Sequence, residues 1–220
     1  MRTNTARLWI VALSMSALLS GGATAGPVGL SLKANTLGVG ADLTVNMGKW
    51  LNARAGINYG QFDFAFSMDE ADVIGELRWR TIPVLLDWHP TGKQFRFSLG
   101  GMFNGNRIGV SADPYEPIKF QGTNYSIDGL DGSIEFDRFS PYLGIGYGNA
   151  TGDGRFHFAC DIGIMYHGKP IVRATVQSSL PPALQEQLDR DFERELDEFR
   201  DSISDWRYYP LVSIGFSFSF

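Results

Sequence analysis

The chain ends in Val212-Ser213-Ile214-Gly215-Phe216-Ser217-Phe218-Ser219-Phe220. Along an extended strand successive side chains point to opposite faces. Val212, Ile214, Phe216, Phe218 and Phe220 therefore share one face, and Ser213, Gly215, Ser217 and Ser219 share the other. In a soluble sheet the apolar face would turn to a core. In a membrane barrel it turns to lipid, and the small polar face lines the lumen.

The same period of two recurs upstream. Phe156, Phe158, Cys160, Ile162, Ile164 and Tyr166 alternate with His157, Ala159, Asp161, Gly163 and Met165. Leu143, Ile145 and Tyr147 alternate with Tyr142, Gly144 and Gly146, and Phe95, Phe97, Leu99 and Phe103 with Arg96, Ser98, Met102 and Asn104. Ile82, Val84, Leu86 and Trp88 alternate with Pro83, Leu85 and Asp87, Leu51 to Tyr59 with Asn52, Arg54, Gly56 and Asn58, and Leu37 to Val45 with Gly38, Gly40, Asp42 and Thr44. With residues 28–34 this makes eight strands, an even number that returns both ends to one side. Pro83 has no N–H for a ladder and predicts a bulge. The phase change at Phe62, Phe64 and Phe66 predicts another near Gly60. The turns at 46–49, 89–94 and 149–154 are short and read as periplasmic. The connections at 67–72, 113–132 and 176–205 are long and read as extracellular, and only the outer turn near Asn35 and Thr36 is short.

The rest of the sequence fits this class. The first 25 residues carry Arg2 and Arg7, an apolar run over 8–19 and Ala23-Thr24-Ala25, the pattern of a secretory signal peptide. Residues 26–220 are then the barrel. Without Arg2 and Arg7, 17 basic residues face 24 acidic ones, for a net charge of −7, which gives nucleic-acid binding no electrostatic support. Within residues 26–220 the longest uncharged run, 139–152, has 14 residues, too few for a spanning helix. A single cysteine excludes an internal disulfide framework. A soluble lipocalin-type barrel is the alternative. It would put the large apolar residues inside and leave Asp42, Arg54, Arg96, His157 and Asp161 in water. The terminal phenylalanine tips the balance, since Phe216, Phe218 and Phe220 in a last alternating strand resemble the signal read by the outer-membrane barrel assembly machinery.

One segment breaks the pattern. Pro181 and Pro182 suit a helix start, and Leu184, Leu188, Phe192, Leu196, Phe199 and Ile203 follow at spacings of three and four, an amphipathic helix over 181–205. Its other face holds nine acids and three arginines, nearly the whole net charge. It reads either as a solvated surface helix or as a lid laid over the barrel mouth. Lys33, Asp42, Arg54, Asp87, Arg96, Tyr142, His157 and Asp161 fall on the lumen face. An eight-stranded barrel is only wide enough for its own side chains, so these charges are expected to pair. His157 and Asp161 lack the further ligands a metal site needs, and no serine is placed beside a histidine for nucleophilic catalysis. No cofactor, metal or catalytic residue is expected, although lipid-modifying barrel enzymes of this size exist.

Several pieces together resemble a known family: residues 36–41 (Thr-Leu-Gly-Val-Gly-Ala), 104–107 (Asn-Gly-Asn-Arg), 125–129 (Tyr-Ser-Ile-Asp-Gly), 140–146 (Ser-Pro-Tyr-Leu-Gly-Ile-Gly), 168–170 (Gly-Lys-Pro), the acidic helix, and 209–212 (Tyr-Pro-Leu-Val). The chain resembles the carbapenem-resistance-associated outer-membrane proteins, also called ornithine uptake porins, of Gram-negative bacteria. The resemblance implies an eight-stranded outer-membrane barrel without a wide pore, in contact with membrane lipid, and small basic or zwitterionic amino acids as solutes. The remaining readings are a structural or surface-interaction barrel without transport, and an enzyme acting on lipid.

Overall fold

The computed structural model describes residues 27–67 and 71–220. The segment read from sequence as a signal peptide, residues 1–25, lies outside the described residues. Among the described residues thirteen strands and one helix follow in order: β1 (Val28–Asn35), β2 (Gly38–Gly48), β3 (Leu51–Ser67), β4 (Ala71–Trp88), β5 (Phe95–Asn104), β6 (Arg107–Pro114), β7 (Ile118–Phe120), β8 (Thr123–Tyr125), β9 (Gly129–Glu135), β10 (Phe139–Tyr147), β11 (Phe156–Tyr166), β12 (Ile171–Gln177), α1 (Pro182–Ser202) and β13 (Tyr208–Ser219).

Eight of these strands close an antiparallel barrel in the order β1-β2-β3-β4-β5-β10-β11-β13, with β13 returning to β1. Closure leaves no edge of unpaired N–H and C=O groups, the condition for crossing lipid with strands. The apolar members of each alternation point outward. Leu143 and Leu99 are 62% exposed and Phe216 68%, and Val39, Ile57, Ile162 and Ile214 are also exposed. Tyr166 stacks edge-on with Tyr208 at one end of the barrel wall, and Trp88 packs on Phe97 at the other. Such an apolar band with aromatic ends is the outer surface of a transmembrane barrel. No helix among the described residues is long and apolar enough to cross a membrane.

β3 and β4 run for 17 and 18 residues, well past the ~9–11 a crossing strand needs. The lower half of β4 pairs with β5, and its upper half, from Ala71 to Arg78, pairs with β6. β6 pairs with β9, and β9 with β12. The barrel wall therefore continues beyond the membrane as a five-stranded sheet, β3-β4-β6-β9-β12. One row of its inner face reads Phe62, Leu77, Ile108, Ile134 and Val172 across the register. The neighbouring outer row reads Asp63, Glu76, Gly109, Ser133 and Arg173.

This sheet corrects two sequence expectations. β3 and β4 keep one register from Leu51–Trp88 to Ser67–Asp72, so there is no bulge at Gly60. Phe62 and Phe64 change face relative to the lipid-facing residues because, above the membrane, the inner side of the wall is the apolar side. Phe62 packs edge-on against Trp79, and the Phe64 ring fills the space a side chain at Gly75 would need. At Pro83 the β3–β4 ladder skips two pairs and resumes without a shift, and β4–β5 runs through in constant register. A missing donor costs a hydrogen bond there but inserts no residue.

Helix α1 begins at Pro181 and Pro182 with no side-chain cap, a proline standing where the N–H would have no partner anyway. Leu188, Phe192 and Leu196 are buried, with Ile203 just past the helix end, against Val172, Phe120, Tyr125 and Ile127. Burying such side chains stabilises by about 1.5–3 kcal/mol each. The Tyr125 hydroxyl donates to Asp191 at 2.6 Å, and the Gln121 amide to Glu195 and Glu198. Those two residues sit on or beside the β7–β8 hairpin, whose Gln121-Gly122 turn has positive φ at both positions, the twist a two-residue hairpin requires. The lid residues thus divide. Leu188, Phe192 and Leu196 dock on the inner face of the five-stranded sheet rather than on the barrel rim, while Leu184 and Phe199 are about half exposed at 46% and 45%.

Candidate functional site

The interior of the barrel is filled in three layers. At the level of the charges, alternation brings Lys33 of β1, Asp42 of β2, Arg54 of β3, Asp87 of β4, Arg96 and Ser98 of β5, Asp161 of β11 and Ser213 of β13 to the inside. Lys33 Nζ donates to both Asp42 oxygens at 2.8 and 2.7 Å. Arg54 is the hub: its Nε lies 2.8 Å from Asp87, and one terminal nitrogen lies 3.4 Å from Asp42 and 3.7 Å from Asp161. Arg96 grips Asp161 at 2.7 and 2.8 Å and donates to the Gly148 carbonyl. Ser98 donates to Asp87 and Ser213 to Asp161. Three cations meet three carboxylates, so the layer is neutral. All six side chains are at least nine-tenths buried, and at that burial each charge needs its partner.

Glycines make room for this layer. A methyl at Gly56 would strike the Asp42 carboxylate, and one at Gly146 the Asp161 carboxylate. The small face of the sequence alternation is thus the space the charged side chains occupy. Gly56→Ala is expected to lower the urea unfolding midpoint, with a loss of about 1–3 kcal/mol in unfolding free energy as for other overpacked interiors. Ala55→Gly, on the lipid side of the same strand, controls for local strand weakening. A midpoint for Gly56→Ala equal to the parent's would show that the charged layer yields freely.

The side of the charges toward the β1–β2 turn is apolar: Leu37, Leu85, Met102, Tyr142, Met165 and Leu211, with Trp79 and Tyr209 packed on them. Leu37 reaches in from the short β1–β2 turn and is fully buried. The opposite side is polar. Asn52 bonds His89 at 3.2 Å and Asn149 at 2.9 Å, and Thr151 joins Asn46, Asn52 and Asn149. Residues 149–151 thus tuck into the mouth, and Ala150 lies directly against Gly29. The space left among the charges is about 20 Å³, room for about one water. No open pore crosses the barrel as it stands.

Of the residues assigned to the lumen from sequence, Lys33, Asp42, Arg54, Asp87, Arg96 and Asp161 lie in the charged layer and Tyr142 in the apolar one. His157 does not join them. It stands half-buried at the rim formed by the β10–β11 turn, bonded to the Gly154 carbonyl at 3.1 Å, because Phe156 to Cys160 is the end of β11 next to that turn. His89 in the β4–β5 turn was not anticipated, since no alternation extends into a turn; burial holds its pKa below the ordinary histidine value. His167 packs edge-on to Phe136 at the other end. Among the described residues no hydrogen bond joins a serine to a histidine. Phe216 and Phe220 are exposed on the lipid face of β13, and Phe218 packs on Phe156 and Phe220.

No family model and no curated protein sequence matches the chain. Among solved structures it is similar to Acinetobacter baumannii CarO, with a TM-score of 0.56 and 14% identity over 88% of this chain and 98% of that one. It is likewise similar to Acinetobacter baumannii CarO2, with a TM-score of 0.55 and 16% identity over 89% of this chain and 99% of that one. At these identities the likeness is one of fold, a closed eight-stranded barrel.

Proposed function

We propose that the chain is a non-enzymatic outer-membrane barrel of porin-like character. It is closed at rest and admits only small zwitterionic or basic solutes, amino acids among them, by a narrow route through the charged layer. The carrying observation is that layer: three cations facing three carboxylates across the lumen. A solute bearing both an ammonium and a carboxylate can exchange partners with it without leaving a buried charge unpaired. The apolar belt and the likeness to CarO support placement in the outer membrane. The acidic helix adds a surface that concentrates cations within a Debye length of about 8 Å.

The filled lumen favours a second reading, a barrel that conducts nothing and presents its extracellular sheet and helix at the cell surface. Liposome swelling and planar-bilayer recording on the refolded protein separate the two. The expected result is small, infrequent openings, with flux of glycine and ornithine and none of sucrose. Replacing 181–205 by a Gly-Ser linker should leave conductance unchanged, because the seal lies inside the barrel, and should reduce preference for ornithine over an acidic amino acid. No flux of any solute would sink the transport reading and leave the surface reading.

A further inference from the structure

We propose that a notch on the outer wall of the barrel binds the phosphate of an outer-leaflet lipid through Arg80 and Arg138. This inference rests on the outer-membrane reading and adds a defined lipid site to it.

The notch arises from topology. β5 leaves β4 at Asn104, and β6 joins β4 only from Arg107, opposite Arg78. Between them the chain turns away, and a groove of about 500 Å³ opens beside β4. Ile57, Tyr59, Ile82 and Phe103 form its apolar wall. All four are exposed members of the lipid-facing alternation, so the groove opens onto lipid. Arg80 and Arg138 line it as well. Arg80 follows Ile82 outward along β4 and pairs with Tyr59, at the level where the barrel wall passes into the extracellular sheet. An apolar slot with cations at its extracellular end matches a lipid whose chains lie along the barrel and whose phosphate sits at the interface.

The charges on this wall are not alike. Arg78 pairs with Glu76 at 2.6 Å, Arg173 with Glu135 at 2.7 Å, and Arg107 lies 3.8 Å from Glu135. Among the described residues no carboxylate lies within ion-pair distance of Arg80 or Arg138. Arg80 is nevertheless held. Its N–H donates to the Asn106 side chain at 3.0 Å, its carbonyl accepts from Gly105 at 2.8 Å, and its guanidinium lies 5.7 Å from the centre of the Tyr59 ring. Stacking leaves the guanidinium edge free to bond. The Arg138 carbonyl accepts from the Asn104 N–H at 2.7 Å, which ties the second arginine to the same turn. The Arg80 guanidinium, held by the Tyr59 ring, and Arg138, whose charge reaches Glu135 only from beyond ion-pair distance, suit a phosphate, which each can bond in bidentate fashion.

The test is native mass spectrometry of the folded protein in detergent. The probes are lipid A, fully dephosphorylated lipid A and inorganic phosphate. Wild type is expected to retain one lipid A per barrel, and Arg80→Ala/Arg138→Ala to bind it about tenfold or more weakly, as loss of charged hydrogen bonds implies. Arg173→Ala, which alters a paired arginine outside the groove, should bind as wild type. Dephosphorylated lipid A should bind no better than lipid A binds the double variant, and millimolar inorganic phosphate should not displace lipid A. Equal binding by wild type and double variant overturns the proposal, as does equal binding of the dephosphorylated lipid. Displacement by inorganic phosphate also overturns it, since the site would then take a free anion. Heat-modifiable migration reports whether each variant folds, and Arg80→Gln serves where the double variant does not. Membrane fractionation is a separate arm: a folded barrel in outer membranes that ignores lipid A refutes this site alone.

Discussion

Arg54→Ala should destabilise the barrel more than any other single change in its interior, by about 3–5 kcal/mol, the cost of removing one partner from a buried ion pair. Arg54 touches three carboxylates. Without it Asp42 keeps Lys33 and Asp161 keeps Arg96, but Asp87 is left with the Ser98 hydroxyl and only the more distant charge of Arg96. The layer would then hold two cations against three anions. Urea unfolding in lipid bilayers, followed by heat-modifiable migration, reads the loss. Adding Asp87→Ala should return part of it, because the stranded charge goes too. A single variant as stable as the parent would mean that water reaches the layer freely, and the sealed-lumen reading would fall with the pairing.

Ile214→Arg tests the other face. Ile214 lies midway along β13, 54% exposed, opposite Ala34 on β1 and Cys160 on β11. An arginine at the bilayer midplane of such a barrel costs about 2–4 kcal/mol, falling to about 0–1 near the interface. Tyr208→Arg, at the extracellular end of the same strand, should therefore be far milder. The decisive readout is the difference between the two in unfolding free energy and in the folded fraction recovered from outer membranes. Equal costs at the two depths would show that the belt does not lie in lipid.

Much of this was legible in residue order. A period of two places every side chain on one face or the other, so the membrane belt and the contents of the lumen could be read strand by strand. Arg54, Asp87 and Asp161 are three such readings. The period could not show where the wall leaves the membrane. Ile108, Val110 and Ala112 alternate, as do Val172, Ala174 and Val176, yet neither short run is among the eight strands that residue order shows. They become strands only because the upper half of β4 offers them an edge. Phe62 and Phe64 misled for the same reason: their parity is that of the lumen face, and their apolar character belongs to a sheet outside the bilayer.

The amphipathic stripe of α1 was equally visible, but its partner was not. Spacing shows that Leu188, Phe192 and Leu196 share a face, and nothing in the spacing distinguishes a barrel mouth from the inner side of a sheet. The sequence alone therefore established an even-stranded barrel, its lipid face, the identity of its buried charges and one acidic helix, because these follow from local periodicity and composition. Which carboxylate each arginine takes, the three-layer seal, the extracellular sheet and the notch between β5 and β6 depend on long-range register. Lys33 meets Asp42 across nine residues, but Arg96 meets Asp161 across 65 and Ser31 meets Ser217 across 186. Such contacts exist only once the last strand has closed against the first.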